Sequence, residues 1–257
     1  MALLTDGNPN DTDALRVYET SILDVASVEV IDLDAKLGLA TEEVSEDVLD
    51  ILLDHTRASD PQSNIRRMIG VSDVVVTPQL KRWHALHTLE VVYRDAFNNQ
   101  LNDRYRPKWQ EYHELSRNAR QHTIRFGIGL ALNPIPKAVT PVFVNVPGPG
   151  LATTFYVQAS WGSAAGQEGS PSDVTTFGTD AGSLLSVLAV NPPAVVVTGW
   201  NVYIGTSPTT VTLQNTTPIP VGQAFVLPGT GLVAGRPPGN GQAADIYVIG
   251  GPILRRG

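Results

Sequence analysis

Thr77-Pro-Gln-Leu-Lys-Arg-Trp83-His-Ala-Leu-His-Thr-Leu-Glu-Val-Val-Tyr93-Arg-Asp-Ala-Phe97 decides how this chain is read. The Thr77 side chain stands where it accepts from the orphan amides of a helix start. Pro78 follows at a position whose missing N–H costs nothing. Beyond them Trp83, Leu86, Leu89, Tyr93 and Phe97 return every three or four residues, one broad apolar face of a helix. The turn-forming run Asn98-Asn-Gln-Leu-Asn-Asp103 interrupts the pattern, and Tyr105, Trp109, Tyr112, Ala119 and Phe126 restart it. Pro107 fits a second helix only in its first turn, so that helix is expected to begin near Asp103. Residues 77–126 therefore read as an antiparallel helical hairpin.

Upstream, Asp13 is a candidate cap for a helix carrying Leu15, Tyr18, Ile22 and Val25, after a polar arm over residues 1–12. The alternating stretch Val28–Leu33 fits helix or a short strand and is read as helix. Thr41 with Glu42, Glu43 and Glu46 marks the start of a helix ending near His55, with Val44, Val48, Ile51 and Leu52 on its buried face. Ser59-Asp60-Pro61 starts another, closed by Gly70 as a left-handed cap. These elements make residues 1–126 a helical domain.

Downstream, Gly127-Ile-Gly-Leu-Ala-Leu-Asn-Pro-Ile-Pro136 suits neither regular helix nor a central strand, so residues 127–137 read as a linker. From Ala138, short runs rich in Val, Thr, Tyr and Phe alternate with Gly, Pro, Asn and Ser. Val139–Val146, Phe155–Trp161, Leu184–Leu188, Val195–Ile204 and Val211–Leu213 are the expected strands of an all-β sandwich over residues 138–250. Trp200, Val202 and Ile204 fall on one strand face and anchor its core. The fold class is thus multidomain α plus β: an N-terminal helical bundle, then a C-terminal β-sandwich, then a tail over residues 251–257. At 257 residues the chain has room for two domains.

Charge is segregated along the chain. Residues 1–79 carry net −11, residues 80–126 net +4 and residues 127–257 net zero. Separated acidic and basic surfaces favour head-to-tail contact between copies, and a net charge of −7 opposes DNA binding. Arg104-Tyr105-Arg106-Pro107-Lys108-Trp109 interleaves cations with aromatics, a pattern also used on single-stranded nucleic acid. Given the net charge, Trp83, Arg104, Tyr105, Arg106, Lys108 and Trp109 are candidate protein-interface residues, the patch facing acids of a neighbouring copy or of a partner protein, with Trp83 and Trp109 as anchors between the two helices or between copies. The tail offers Ile253 and Leu254 beside Arg255 and Arg256, suited to docking on a carboxylate-rich partner.

No chemistry stands out. The chain has no cysteine, so neither a disulfide framework nor a thiolate nucleophile is available. His84, His87 and His113 can be drawn together on a metal, but they lack a zinc signature and read better as interhelical polar contacts. Asp32 with Asp34, and Glu46 with Asp50, read as solvated helix faces. No serine sits in a nucleophile elbow and no glycine-rich loop fits a nucleotide, so no enzyme activity, cofactor or metal is expected. No apolar run reaches the roughly 20 residues of a membrane span, and use in the cytoplasm is the default expectation.

Two stretches carry a resemblance. Tyr156-Val-Gln-Ala-Ser-Trp161 with the loop Gly166-Gln-Glu-Gly-Ser-Pro-Ser172, and then Trp200-Asn-Val-Tyr-Ile-Gly-Thr-Ser-Pro208, resemble the fibronectin type III-like or immunoglobulin-like modules of tailed-phage structural proteins. Leu80–Tyr93 and Tyr105–Tyr112 look like the helical head-to-tail adaptor, or connector, proteins of tailed phages. The resemblance implies a homo-oligomeric ring, usually dodecameric, at the neck of a virion assembled in the host cytoplasm. It would lie between the portal protein and tail or neck proteins, with DNA passing through unread. The appended sandwich departs from the usual adaptor. A second class of function is a carbohydrate- or surface-binding module oligomerised by its helices.

Overall fold

The computed structural model describes residues 2–58, 69–100, 103–193 and 197–249. The chain forms two compact units. Gly7–Leu132 with Ala244–Gly257 make a helical unit, and Met1–Asp6 with Asn133–Ala243 make a β unit. The helical unit thus runs past the expected boundary at residue 126, and it takes back a strand from the end of the chain.

In the helical unit, Asp11 caps α1 (Thr12–Tyr18) by accepting from the Ala14 amide at 2.8 Å; the expected cap Asp13 lies inside the helix. The chain breaks at residues 19–21 before α2 (Ile22–Glu29), so the single helix expected across Leu15–Val25 is two. Val30 ends α2 in the left-handed region (φ 55°), so the helical reading of Val28–Leu33 holds at Val28, Glu29 and Leu33 and fails at Val30–Asp32. Asp32 then accepts from the amides of Asp34 and Ala35 and starts α3 (Leu33–Ala58) eight residues before Thr41. The helix expected after Ser59 lies outside the described residues. Gly70 is extended (φ −129°), not a left-handed cap, and begins a short 3-10 turn at Val71–Asp73.

α4 (Pro78–Gln100) starts as expected, with the Thr77 hydroxyl accepting from the Leu80 amide. α5 (Arg106–Phe126) follows with Pro107 in its first turn. α1, α2, α3 and α5 all contact α4. Its buried surface is therefore wider than one face: Ala85, Thr88, Val91 and Val92 are as inaccessible as Trp83 and Leu89. A helix contacted by four others and buried all round its middle turns is the central element of its unit, while Lys81 and Arg82 near its start stay exposed. Strand β1 (Ile128–Leu130) pairs with β10 (Ile246–Val248) in antiparallel register. Residues expected as linker and as sandwich thus close the helical unit instead. Gly129 shows how tightly: an added Cβ would meet Thr77 and Ala244 at 2.9 Å.

The β unit holds two antiparallel sheets. One has the order β2 (Val142–Pro147), β5 (Ser183–Leu188), β9 (Phe225–Val226). The other runs β4 (Thr175–Thr179), β3 (Thr153–Gly162), β6 (Gly199–Gly205), β7 (Thr212–Leu213), and β8 (Ile219–Pro220) also pairs with β6. Strands β4, β8 and β9 were not expected from the sequence; the other five overlap the expected runs. Inward residues of both sheets form one apolar cluster: Val157, Ala159 and Trp161 of β3, Leu185 and Val187 of β5, and Trp200, Val202 and Ile204 of β6. No helix among the described residues is long and apolar enough to cross a membrane.

Candidate functional site

The aromatic end of the α4–α5 hairpin was the sequence's candidate interface, and its residues separate into core and surface. Trp83 is 2% exposed and Tyr105 5%, so both are interior residues of the unit. The Tyr105 hydroxyl donates to Glu29 at 2.8 Å, and the Arg120 guanidinium lies 6.0 Å from the centre of the Trp83 ring. Tyr112 stacks on Tyr93 at 5.4 Å, and Trp109 stacks on Phe97 at 5.6 Å. Such offset ring pairs hold two helices together beyond the area they bury. The apolar-face reading holds for Tyr93 and Phe97, and of the two places open to Trp109, between the helices or between copies, its stacking on Phe97 puts it at the seam of the hairpin.

The cations of the same stretch have partners within the chain. Lys108 reaches Glu19 at 3.0 Å and Glu111 at 3.4 Å, Arg106 lies 3.7 Å from Asp103, and the Arg104 guanidinium sits 5.2 Å from the Tyr105 ring centre. Farther along α5, Arg120 makes a bidentate pair with Asp47 of α3 at 2.9 and 3.2 Å. Acids from the first 79 residues thus meet bases of residues 80–126 inside one chain, and part of the sequence segregation of charge is neutralised there. Glu19 collects Ser21, Lys108 and the Tyr112 hydroxyl. Burial would raise its carboxyl, but these donors hold it down at about 2. Arg255 and Arg256 lie outside the described residues.

The three histidines do not converge. His84 is wholly buried: its Nδ1 accepts from the Asn10 amide at 3.0 Å, and its Nε2 faces the Thr41 hydroxyl at 2.8 Å and the Leu37 carbonyl at 3.3 Å. Burial pushes its pKa down to about 4, so the ring is neutral at pH 7. His87 instead bridges α3 and its own helix, meeting Glu43 at 2.5 Å and Glu90 at 3.1 Å. His113 of α5 takes the other oxygen of Glu90 at 2.8 Å. Burial opposes the charge on His87, but hydrogen bonds from it to Glu90 and Glu43 raise its pKa above the ordinary value. Burial also acts to raise Glu90, and the two histidines outweigh it, bringing the carboxyl down to about 2. Among the described residues no group of three or more His, Cys, Asp or Glu is arranged to hold a metal ion. The contacts across α3, α4 and α5 make this a helix-joining network.

The β unit contains a polar centre that sequence reading missed. Glu168, in the loop after β3, accepts hydrogen bonds from Ser160 and Tyr203, from Asn201 at 3.1 Å and from Arg236 at 2.6 Å. Burial would raise this carboxyl, but the four donors outweigh it and lower its pKa. Tyr203 is raised, by burial first and then by its bond to Glu168. Ser160 pairs across the strands with Asn201, on the sheet face opposite the apolar cluster. The signal lay in the alternation itself: Gln158, Ser160, Asn201 and Tyr203 are the polar half of two strands whose other half is core. The carboxylate pins the loop, two strands and the Arg236 segment to one another.

No family model, curated protein or solved structure matches the chain.

Proposed function

We propose that this chain is a structural protein of the head-to-tail adaptor kind, forming a dodecameric ring at the neck of a tailed phage between the portal and the tail. The helical unit is the assembling part in this reading, and the β unit is an immunoglobulin-like or fibronectin type III-like sandwich. The observation that carries it is the helical unit built on one buried hairpin, the part on which the resemblance to adaptors rests; the strand order supports the sandwich reading. β2 and β5 share one sheet, while β4-β3-β6-β7 form the other. Labelled B, C, C′, E, F and G in chain order, these strands are read as the B–E pair and the C′–C–F–G sheet of an immunoglobulin-type sandwich, with β8 outside the correspondence; the buried Trp161 on strand C supports that reading. Strand A is missing from this correspondence, and β9 adds to the far side of E.

In this reading DNA passes through the ring without being recognised by sequence, and the net negative charge keeps it from adhering. The experiment is electron microscopy of particles carrying a labelled copy of the chain. Label at a single vertex, between head and tail, is the expected result. Label spread over the capsid or at fibre tips overturns the adaptor reading and favours the surface-binding one.

A further inference from the structure

α3 has two stripes. Leu37, Ala40, Val44, Val48 and Leu52 are buried in the unit. On the opposite side of the helix, Ala35, Leu39, Glu42, Glu46, Leu49 and Leu53 recur at alternating intervals of four and three, and all are exposed. Residues at those intervals lie in one line along a helix and have the spacing of a seam made for another surface. Three leucines in that line, each more than a third exposed, are unusual directly opposite a core. Glu42 and Glu46 sit in the middle of the line with Asp50 at its side, and none of the three makes an ion pair or hydrogen bond among the described residues.

A cleft of complementary character lies elsewhere in the same unit, between the start of α4 and the end of α5. It has a volume of about 380 Å³ and is lined by Arg82, Leu115, Asn118, His122 and Phe126. Phe126 is 60% exposed at its rim. Arg82 and the neighbouring Arg125 are exposed and have no ion pair among the described residues. One surface is therefore acidic and leucine-bearing, the other basic and aromatic, and they are different surfaces of one molecule.

We infer that the outer stripe of α3 docks into the α4–α5 cleft of a second copy of this chain. Glu42 and Glu46 would face Arg82 and Arg125, and Leu49 or Leu53 would cover Phe126. Because the two surfaces differ, the contact is heterologous: each bound copy still presents a stripe at one side and a cleft at the other. Repetition gives a closed ring when the rotation between copies closes, and a filament when it does not. This deepens the proposed function and rests on its view of the helical unit as the assembling part.

Charge reversal of the full-length chain tests the contact, with light scattering after size exclusion as the readout and thermal melting as a check on folding. Three variants are needed: Glu42→Arg with Glu46→Arg, Arg82→Glu with Arg125→Glu, and all four together. Each two-site variant should associate about tenfold or more weakly, since like charges then face each other. The four-site variant should recover assembly, and an equal mixture of the two two-site variants should assemble with the two alternating. All the substituted residues are exposed, so melting should stay at the wild-type value. Wild-type chain that remains monomeric at its highest soluble concentration overturns the inference, as does assembly that neither reversal weakens. A loss caused by the α3 reversal alone also overturns it, since that outcome indicates stripe against stripe. If assembly survives both reversals while labelled particles still show a collar, only this contact falls and the adaptor reading stands. If the label is absent from the neck, that reading falls whatever the reversals do.

Discussion

The helical unit and the β unit bury polar groups in opposite ways. Inside the helical unit, charged and polar side chains form bridges between helices distant in sequence: Glu29 to Tyr105, Glu43 to His87, Glu90 to His113, Asn10 to His84. The β unit keeps one apolar cluster between its sheets and gathers its buried charge on the outer face of one of them, around Glu168. The contrast follows from geometry. The middle of α4, from Trp83 to Tyr93, is enclosed by the other helices, so polar residues there must find partners inside. A strand sends alternate side chains to opposite faces, which separates polar from apolar without any network. The interior of the helical unit should therefore respond to protonation, and that of the β unit chiefly to lost volume.

The largest test removes volume from each side. Trp200 and Trp83 are 0% and 2% exposed, and truncation of either to alanine should cost about 3–5 kcal/mol. Hydrogen exchange resolved by peptide is the measurement. Trp200→Ala should speed exchange in β3, β5 and β6 and leave α4 protected, while Trp83→Ala should do the reverse. Loss of protection across both units from either change would show that they unfold as one body.

Next in size is removal of each buried carboxylate. Glu90→Ala takes one acceptor from the buried His87, which keeps Glu43, and another from the exposed His113, and should cost the helical unit about 2 kcal/mol. Glu168→Ala should cost about the same, about 2 kcal/mol: Arg236 is half exposed and can turn to water, while the buried Ser160, Asn201 and Tyr203 lose their acceptor. Urea unfolding followed by the same peptides compares them. If Glu168→Ala proves the more damaging, the polar pin matters more to the β unit than the separation of its faces suggests.

The hairpin was legible because its signals are local: the Thr77-Pro78 cap, Pro107 in a first turn and apolar residues at short intervals each constrain the backbone within a few residues. Strand runs around Trp161 and Trp200 were legible for the same reason. Pairing of Ile128–Leu130 with Ile246–Val248 was not, because alternation identifies a strand without naming its partner. The burial of Trp83 and Tyr105 was not legible on the same ground. Whether Trp83 or Tyr105 faces a neighbour or the core depends on helices brought in from other parts of the chain, as does the pairing of Lys108 with Glu19. Strands of two residues, such as Phe225–Val226, are too short to produce a period at all.

Acidification separates the two units by the pH at which each begins to lose stability. His84 is depressed in the fold to about 4 from an ordinary 6.5, so the unfolded chain binds its proton first. The stability it contributes is complete above pH 6.5 and is lost as pH falls toward 4. Between pH 6.5 and 4.5 that loss is on the order of 2 kcal/mol. His87 is raised, so its contribution is complete below pH 6.5 and is lost as pH climbs through its folded value. Glu90 and Glu19, both depressed to about 2, add a second loss from pH 4.5 down to 2. Glu168, also lowered, makes the β unit sensitive only below pH 4.5. Helical peptides should therefore lose exchange protection between pH 6.5 and 4.5 while β peptides keep theirs. A His84→Asn variant that retains the same slope would assign the loss to another group.

The smallest effect concerns two backbone positions, one in each unit. Val30 and Asn191 are the non-glycine residues described with positive φ, both at 55°. Asparagine tolerates this region, whereas for a β-branched residue it is a true outlier. Val30 is held there because it ends α2: its amide and that of Ile31 both donate to the Ala26 carbonyl, a closure usually made with glycine. Its side chain is 90% exposed, so little packing offsets the strain. Glycine would remove a steric cost of about 1–2 kcal/mol and give back part of it through the greater freedom of the unfolded chain. Val30→Gly should thus stabilise the helical unit by about 0.5–1 kcal/mol in urea unfolding. Asn191→Gly should leave the β unit within about 0.5 kcal/mol of wild type. Equal shifts from the two substitutions would mean that the cost is set by the positive φ alone. A loss at Val30 would mean that its exposed methyl groups have a partner that the single chain does not supply.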